Sequence, residues 1–177
     1  DGEVKDLRTI VDKDCTLNIL TFDSDAGKKA YRHTCAHVLA QAVKNLYPDA
    51  KLTIGPAIDN GYYYDFDMPS LDRDALDAIE KEMKKIIKKG DRLERYTLSK
   101  DEAIKLMTER DEPYKVEMIK EHPDTDELSF YQQGDFIEFC AGPHLMSTKP
   151  IKAFKLTSSS GAYWRGDEHN KMLTRIY

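Results

Sequence analysis

The chain has 177 residues, 40% apolar and 33% charged, enough to bury one good core and ordinary for a globular protein. Its net charge of −5 argues against indiscriminate nucleic-acid binding, and no apolar run approaches a membrane span. Three cysteines cannot complete a disulfide framework, and no basic-plus-apolar leader opens the chain, so the expected compartment is the cytoplasm.

Asp1-Gly2, flanked by alternating residues, predicts a turn between strands. Val4, Leu7, Ile10, Leu17, Ile19 and Leu20 are too few to build a core of their own. Ser24 or Asp25 then caps a helix expected to run to about Leu46, stopped before Pro48 because pre-proline residues favour extended geometry. Tyr31, Val38, Leu39, Ala42, Val43 and Leu46 form its apolar stripe. His33 and His37 flank that stripe at a half-buried edge, where their nitrogens need partners.

Residues 52–58 and 62–67 predict extended segments joined at Asp59-Asn60-Gly61, a strong hairpin signal. Tyr62 and Tyr64 then share one face and Tyr63 the other, and packing is the default role of a strand tyrosine. Residues 72–89 carry Leu76, Ile79, Met83, Ile86 and Ile87 at helical spacing, with Gly90 as the stop. Residues 92–98 suit a strand, Ser99-x-x-Glu102 is a capping box, and Pro113 starts a further short helix. Residues 128–133 and 136–140 read as strands around Gly134-Asp135, and residues 152–157 and 162–165 as strands around Ser158-Ser159-Ser160-Gly161. His122 and His169 sit in charged loops and read as surface residues. The mixture lacks a strict βαβ rhythm, which predicts an α+β fold with an antiparallel sheet packed on helices.

Two pairs of residues carry the chemistry. His33 and His37 are four apart on one helix face, and Cys140 and His144 repeat that spacing about a hundred residues on, around a Gly142-Pro143 that breaks any helix. Together they offer three imidazoles and a thiol, suited either to a tetrahedral metal site or to a hydrolytic pocket. Two basic concentrations, Lys81, Lys84, Lys85, Lys88, Lys89, Arg92 and Arg95, then Lys149, Lys152 and Lys155, are charged faces available to an acidic partner.

His33-x-x-x-His37 with Cys140-x-Gly142-Pro143-His144 resembles the paired motif of the second additional domain shared by threonyl- and alanyl-tRNA synthetases. The segments Ile54 to Phe66, Glu112-Pro113-Tyr114-Lys115 and Gly161-Ala162-Tyr163-Trp164-Arg165-Gly166-Asp167 resemble the bacterial threonyl form more closely. The resemblance implies that residues 1–22 are the tail of a ubiquitin-like β-grasp domain and residues 23–177 an editing domain, the chain being a fragment. It implies hydrolysis of mischarged Ser-tRNA(Thr) at the 3′ CCA end, within a parent threonine-tRNA ligase expected to be a homodimer. ATP and magnesium would serve only the parent's synthetic core, to which nothing here is similar.

Under the same resemblance His33, His37, Cys140, His144, Lys115 and Glu138 are the catalytic set, with Lys115 as the cation facing the ester. Glu138 stands where many relatives carry aspartate. Tyr62, Tyr64, Tyr114 and Tyr131 are expected to line the substrate pocket. The threonyl type implies no metal for editing, whereas the alanyl type implies zinc on His33, His37, Cys140 and His144. A zinc-dependent alanyl-type deacylase and a non-catalytic acceptor-end binding module are the alternatives.

Overall fold

The computed structural model describes residues 2–177. Ser24 accepts a hydrogen bond from the Gly27 amide at 3.1 Å and caps α1 (Asp25–Leu46), which ends at Tyr47 ahead of Pro48. After α1 come β1 (Lys51–Leu52), β2 (Ala57–Ile58), β3 (Gly61–Tyr62) and β4 (Tyr64–Asp67). Helix α2 (Arg73–Lys89) starts on the Asp72 carboxylate, which accepts from Ala75 at 2.8 Å, and stops at Gly90, whose φ of 71° is left-handed. Then follow β5 (Glu94–Ser99), α3 (Lys100–Glu109), α4 (Pro113–Lys120), β6 (Glu127–Gln133), β7 (Phe136–Phe139), β8 (Ser159–Tyr163), a 3-10 turn (Trp164–Gly166) and β9 (Met172–Ile176). The capping box holds: Ser99 Oγ accepts from the Glu102 amide at 3.3 Å and donates to its carboxylate at 2.8 Å.

All pairings of named strands are antiparallel, in a four-stranded sheet of order β1-β4-β9-β8, a β2-β3 hairpin and a three-stranded β5-β6-β7 sheet. The expected α+β architecture is therefore present. One core lies between α1, α2 and the four-stranded sheet, around Leu39, Phe66, Ile79 and Met83. A smaller one packs α3 and α4 onto the three-stranded sheet, around Met107, Ile119 and Phe130.

Polar groups tie the two halves together. Glu112 at the start of α4 accepts from the Leu52 amide at 2.9 Å and pairs with Lys44 at 2.9 Å, while Gln133 donates to Gln41 at 2.8 Å. Because α1 is enclosed by both halves, its burial is nearly continuous from Thr34 to Ala40. Small residues at 36, 40 and 42 let its neighbours approach closely.

Several expectations differ. Leu46 is 40% exposed, although Val43 in the same last turn of α1 is buried. Residues 52–58 are not one strand but contribute to β1 and β2, with an irregular stretch between. Residues 152–157 form no strand; the serine-rich stretch expected as a turn is instead β8, paired with β9, which periodicity had not signalled. The backbone turns into the 3-10 segment at Trp164, so residues 162–165 are only half strand. The predicted Asp1-Gly2 turn falls partly outside the described residues, and residues 2–22 contain no helix or strand. No helix among the described residues is long and apolar enough to cross a membrane.

Candidate active site

The period-2 alternation of β7 turns Phe136 and Glu138 to the interior between the halves and Ile137 and Phe139 to the smaller core. Cys140 continues that alternation: its amide donates to the Ser129 carbonyl at 3.2 Å and its carbonyl accepts from Ser129 Oγ at 2.7 Å. The chain then bends through Gly142, at φ 74°, to bring His144 back over the thiol. Across from it, α1 presents His33 and His37 one turn apart.

The two distant pairs thus meet. Cys140 Sγ lies 3.4 Å from His33 Nε2 and 3.3 Å from His144 Nε2, and it accepts from the Gly142 amide at 3.3 Å. The His144 ring stacks on His33 at 4.2 Å and lies 4.0 Å from His37 between centroids. His33 donates to the carbonyl of Pro143, the only backbone group that residue offers. His37 is 2% exposed, and its Nδ1 has no hydrogen-bond partner.

Burial sets the protonation of the cluster. It holds His33 down at about 4, aided by the nearby Lys115 charge, and His37 and His144 well below the ordinary imidazole value. The same burial, partly offset by the Gly142 hydrogen bond, pushes the Cys140 thiol up to about 12. At neutral pH the site is therefore three uncharged imidazoles and a protonated thiol.

Beneath this cluster lies a buried ion pair. Lys115, 3% exposed, sits 2.5 Å from Glu138, which is 2% exposed and also accepts from the Tyr64 hydroxyl at 2.6 Å. Tyr64 belongs to β4 and its hydroxyl is pushed well up by burial and by Glu138, so it stays a donor. Three elements of both halves thus converge on one carboxylate.

The tyrosines separate. Tyr131 packs its ring against His144 at 4.5 Å, while Tyr62 packs into the larger core, half-buried, with an unpartnered hydroxyl. Tyr114 donates to Asp67 at 2.8 Å and sets its ring edge-on to Trp164 at 5.2 Å. Tyr63, between β3 and β4, lies under the Arg175 guanidinium at 3.9 Å. His122 pairs with Asp126 at 3.4 Å and His169 is exposed, so neither joins the site.

Two contributors went unsignalled in the sequence. Asp6, from the irregular N-terminal segment, accepts from the His144 amide at 3.0 Å and from the Tyr131 hydroxyl. Arg8 anchors that segment by donating to the carbonyls of Leu93 and Met146 and by pairing with Glu94 at 3.2 Å. A cavity of about 160 Å³ lies between this strap and the Tyr131–His144 side of the site. The second is Thr34, fully buried, whose hydroxyl touches His144 Nδ1. A hydroxyl residue between the two histidines was the one available hint.

One donor atom from each of His33, His37, Cys140 and His144 lies within 4.8 Å of all the others. A tetrahedral zinc shell places such atoms roughly 3.5 Å apart. The donor types suit the metal, and His37 Nδ1 is an orphaned lone pair or proton that a ligand would satisfy, so the four residues fit a zinc ion.

The profile of the "Threonyl and Alanyl tRNA synthetase second additional domain" matches residues 128–177, which include Cys140 and His144. That profile covers the segment that carries one of the two residue pairs of the site. Along 99% of its length the chain is 63% identical to a threonine–tRNA ligase of Acetivibrio thermocellus. It is 60% identical to that of Caldanaerobacter subterraneus subsp. tengcongensis and 58% identical to that of Clostridium tetani. It spans about 28% of the length of these relatives. Over nearly its whole length the chain is therefore similar to one part of the threonine–tRNA ligases.

Proposed function

We propose that the domain hydrolyses the ester joining serine to tRNA(Thr). The observation that carries this reading is the convergence of two imidazole Nε2 atoms on Cys140 Sγ, at 3.3 and 3.4 Å, inside the field of a buried lysine. A water held there loses a proton to a neutral imidazole while its oxygen attacks the ester carbonyl. The resulting oxyanion is stabilised by Lys115, and the ribose oxygen leaves with the proton that the imidazole returns. The protonated thiol is a poor nucleophile, so Cys140 orients the water and does not attack.

Serine is the substrate that chemistry calls for. A synthetic site that accepts threonine rejects serine by only ~1 to 3 kcal/mol, since the two differ by one methyl, and a second sieve that excludes the methyl corrects the error. The partner would be the single-stranded CCA end, recognised through stacking, phosphates and ribose hydroxyls, with the lysines of α2 and Lys149, Lys152 and Lys155 steering the approach. Ligation itself, with its ATP and magnesium, belongs to the remainder of a longer protein.

The metal-ligand geometry of His33, His37, Cys140 and His144 favours one second reading, an alanyl-type zinc-dependent deacylase. There those residues would hold zinc, and one of the four would give up its position to a water that the metal would acidify.

Deacylation of Ser-tRNA(Thr), Ser-tRNA(Ala) and Thr-tRNA(Thr), with and without a chelator, tests both. Fast loss of serine from tRNA(Thr), unaffected by chelation, is the expected outcome. Preference for Ser-tRNA(Ala), with activity lost alongside stoichiometric zinc, would establish the second reading, and tight binding without turnover would reduce the domain to a binding module.

A further inference from the structure

Thr34 Oγ1 stands at the centre of three contacts. It donates to the Ala30 carbonyl one turn back at 2.8 Å, accepts from the Leu145 amide at 3.0 Å and lies 3.0 Å from His144 Nδ1. The residue is wholly buried, so water replaces none of these partners.

A hydroxyl has one proton and two acceptor sites. With the proton directed to Ala30, one acceptor site takes the Leu145 amide and the other requires a donor. His144 Nδ1 meets that need only when it carries the ring proton. The opposite arrangement, with the hydroxyl donating to a bare Nδ1, gives up the bond to Ala30 and makes one hydrogen bond fewer.

We propose that Thr34 is a positioning residue that holds the His144 proton on Nδ1, so that the Nε2 lone pair faces Cys140 and the reacting centre. His33, tethered on its far side by the Pro143 carbonyl, presents Nε2 to the same sulfur. Two imidazoles therefore aim lone pairs at one point, which is what a water-activating base requires and equally what a metal requires. The same hydroxyl ties the Leu145 amide to α1, so one side chain sets both the tautomer of His144 and the seat of the loop that carries it.

The role in catalysis rests on the hydrolytic reading above, but the tautomer does not. Ring nitrogen chemical shifts of His144, assigned by its loss in His144→Ala, report the tautomer directly in the full chain. Wild type is expected to show the Nδ1–H form. Thr34→Val, which keeps the shape and removes the hydroxyl, should shift His144 toward Nε2–H and lower kcat for Ser-tRNA(Thr) by about tenfold or more with KM nearly unchanged, the usual scale for losing such a support. Thr34→Ser should recover most of both signals.

An Nε2–H tautomer in wild type overturns the proposal whether or not any variant folds. So does Thr34→Val with the Nδ1–H form retained and kcat unchanged. If wild type lacks deacylase activity, the function is misread while the spectrum still decides the role of Thr34.

Discussion

Lys115 and Glu138 form an ion pair closed off from solvent between the two halves. Their separation of 2.5 Å and near-complete burial mean that removing one charge strands the other in a medium that solvates it poorly. Lys115→Met is therefore expected to destabilise the domain by ~3 to 5 kcal/mol, in addition to lowering deacylation by roughly 10² to 10³ if the ammonium faces the oxyanion. Lys115→Met combined with Glu138→Gln should regain much of the stability and none of the rate. Denaturant titrations and single-turnover deacylation of the three proteins check this, and a fully active double variant would remove Lys115 from the chemistry. Cys140→Ser should cost less than either if the thiol only orients water, because a hydroxyl can still make that contact; a loss as deep as that of His33→Ala would point to a metal ligand or nucleophile.

The decisive element is the loop between β7 and Leu145. Gly142 has a left-handed φ of 74°, and a Cβ built there runs into the Tyr131 hydroxyl. Gly142→Ala is expected to cost ~1 to 2 kcal/mol for the backbone conformation alone. It should also push Tyr131 from His144, lowering deacylation at least tenfold. Gly61→Ala is the matched control, since its added Cβ meets nothing within 4 Å and its φ is not left-handed. Equal rates and equal melting temperatures for the two variants would show that the loop tolerates what its geometry says it cannot. The N-terminal strap is the weaker element: residues 2–22 make no ladder, and Asp6 and Arg8 provide its side-chain anchors on the Tyr131–His144 side of the site.

On the scale of the whole molecule, closing two halves over the site makes stability depend on pH from both directions. Folding lowers His33 from 6.5 to about 4 and the other two imidazoles well below 6.5. The unfolded chain thus binds more protons below pH 6.5, and stability falls as pH drops toward about 4. Folding raises the Cys35 and Cys140 thiols from 9.0 to about 12, so the unfolded chain releases protons above pH 9 that the folded chain keeps. Stability falls again as pH rises through that range. Thermal melts of chelator-treated protein should give a plateau between about pH 6.5 and 9; a midpoint at pH 5 equal to that at pH 7.5 would contradict the buried neutral histidines.

What the amino-acid sequence determined by itself was local. The Ser24 and Ser99 caps and the Gly90 stop depend on partners within a few residues, and each stands where the pattern put it; the hairpin forms as well, turning at Asp59-Asn60 with Gly61 already in β3. The i, i+4 spacing of the two pairs was legible for the same reason. Tertiary structure alone decided that the pairs face each other, that Lys115 is buried against Glu138 while Tyr114 turns to Asp67, and that a serine-rich stretch becomes β8 because β9 lies beside it. It alone placed Asp6 on the His144 amide and Thr34 on its ring, across 138 and 110 residues of chain. Such contacts leave no periodicity in the sequence, because they exist only once two cores have closed and water has been driven from the polar groups between them.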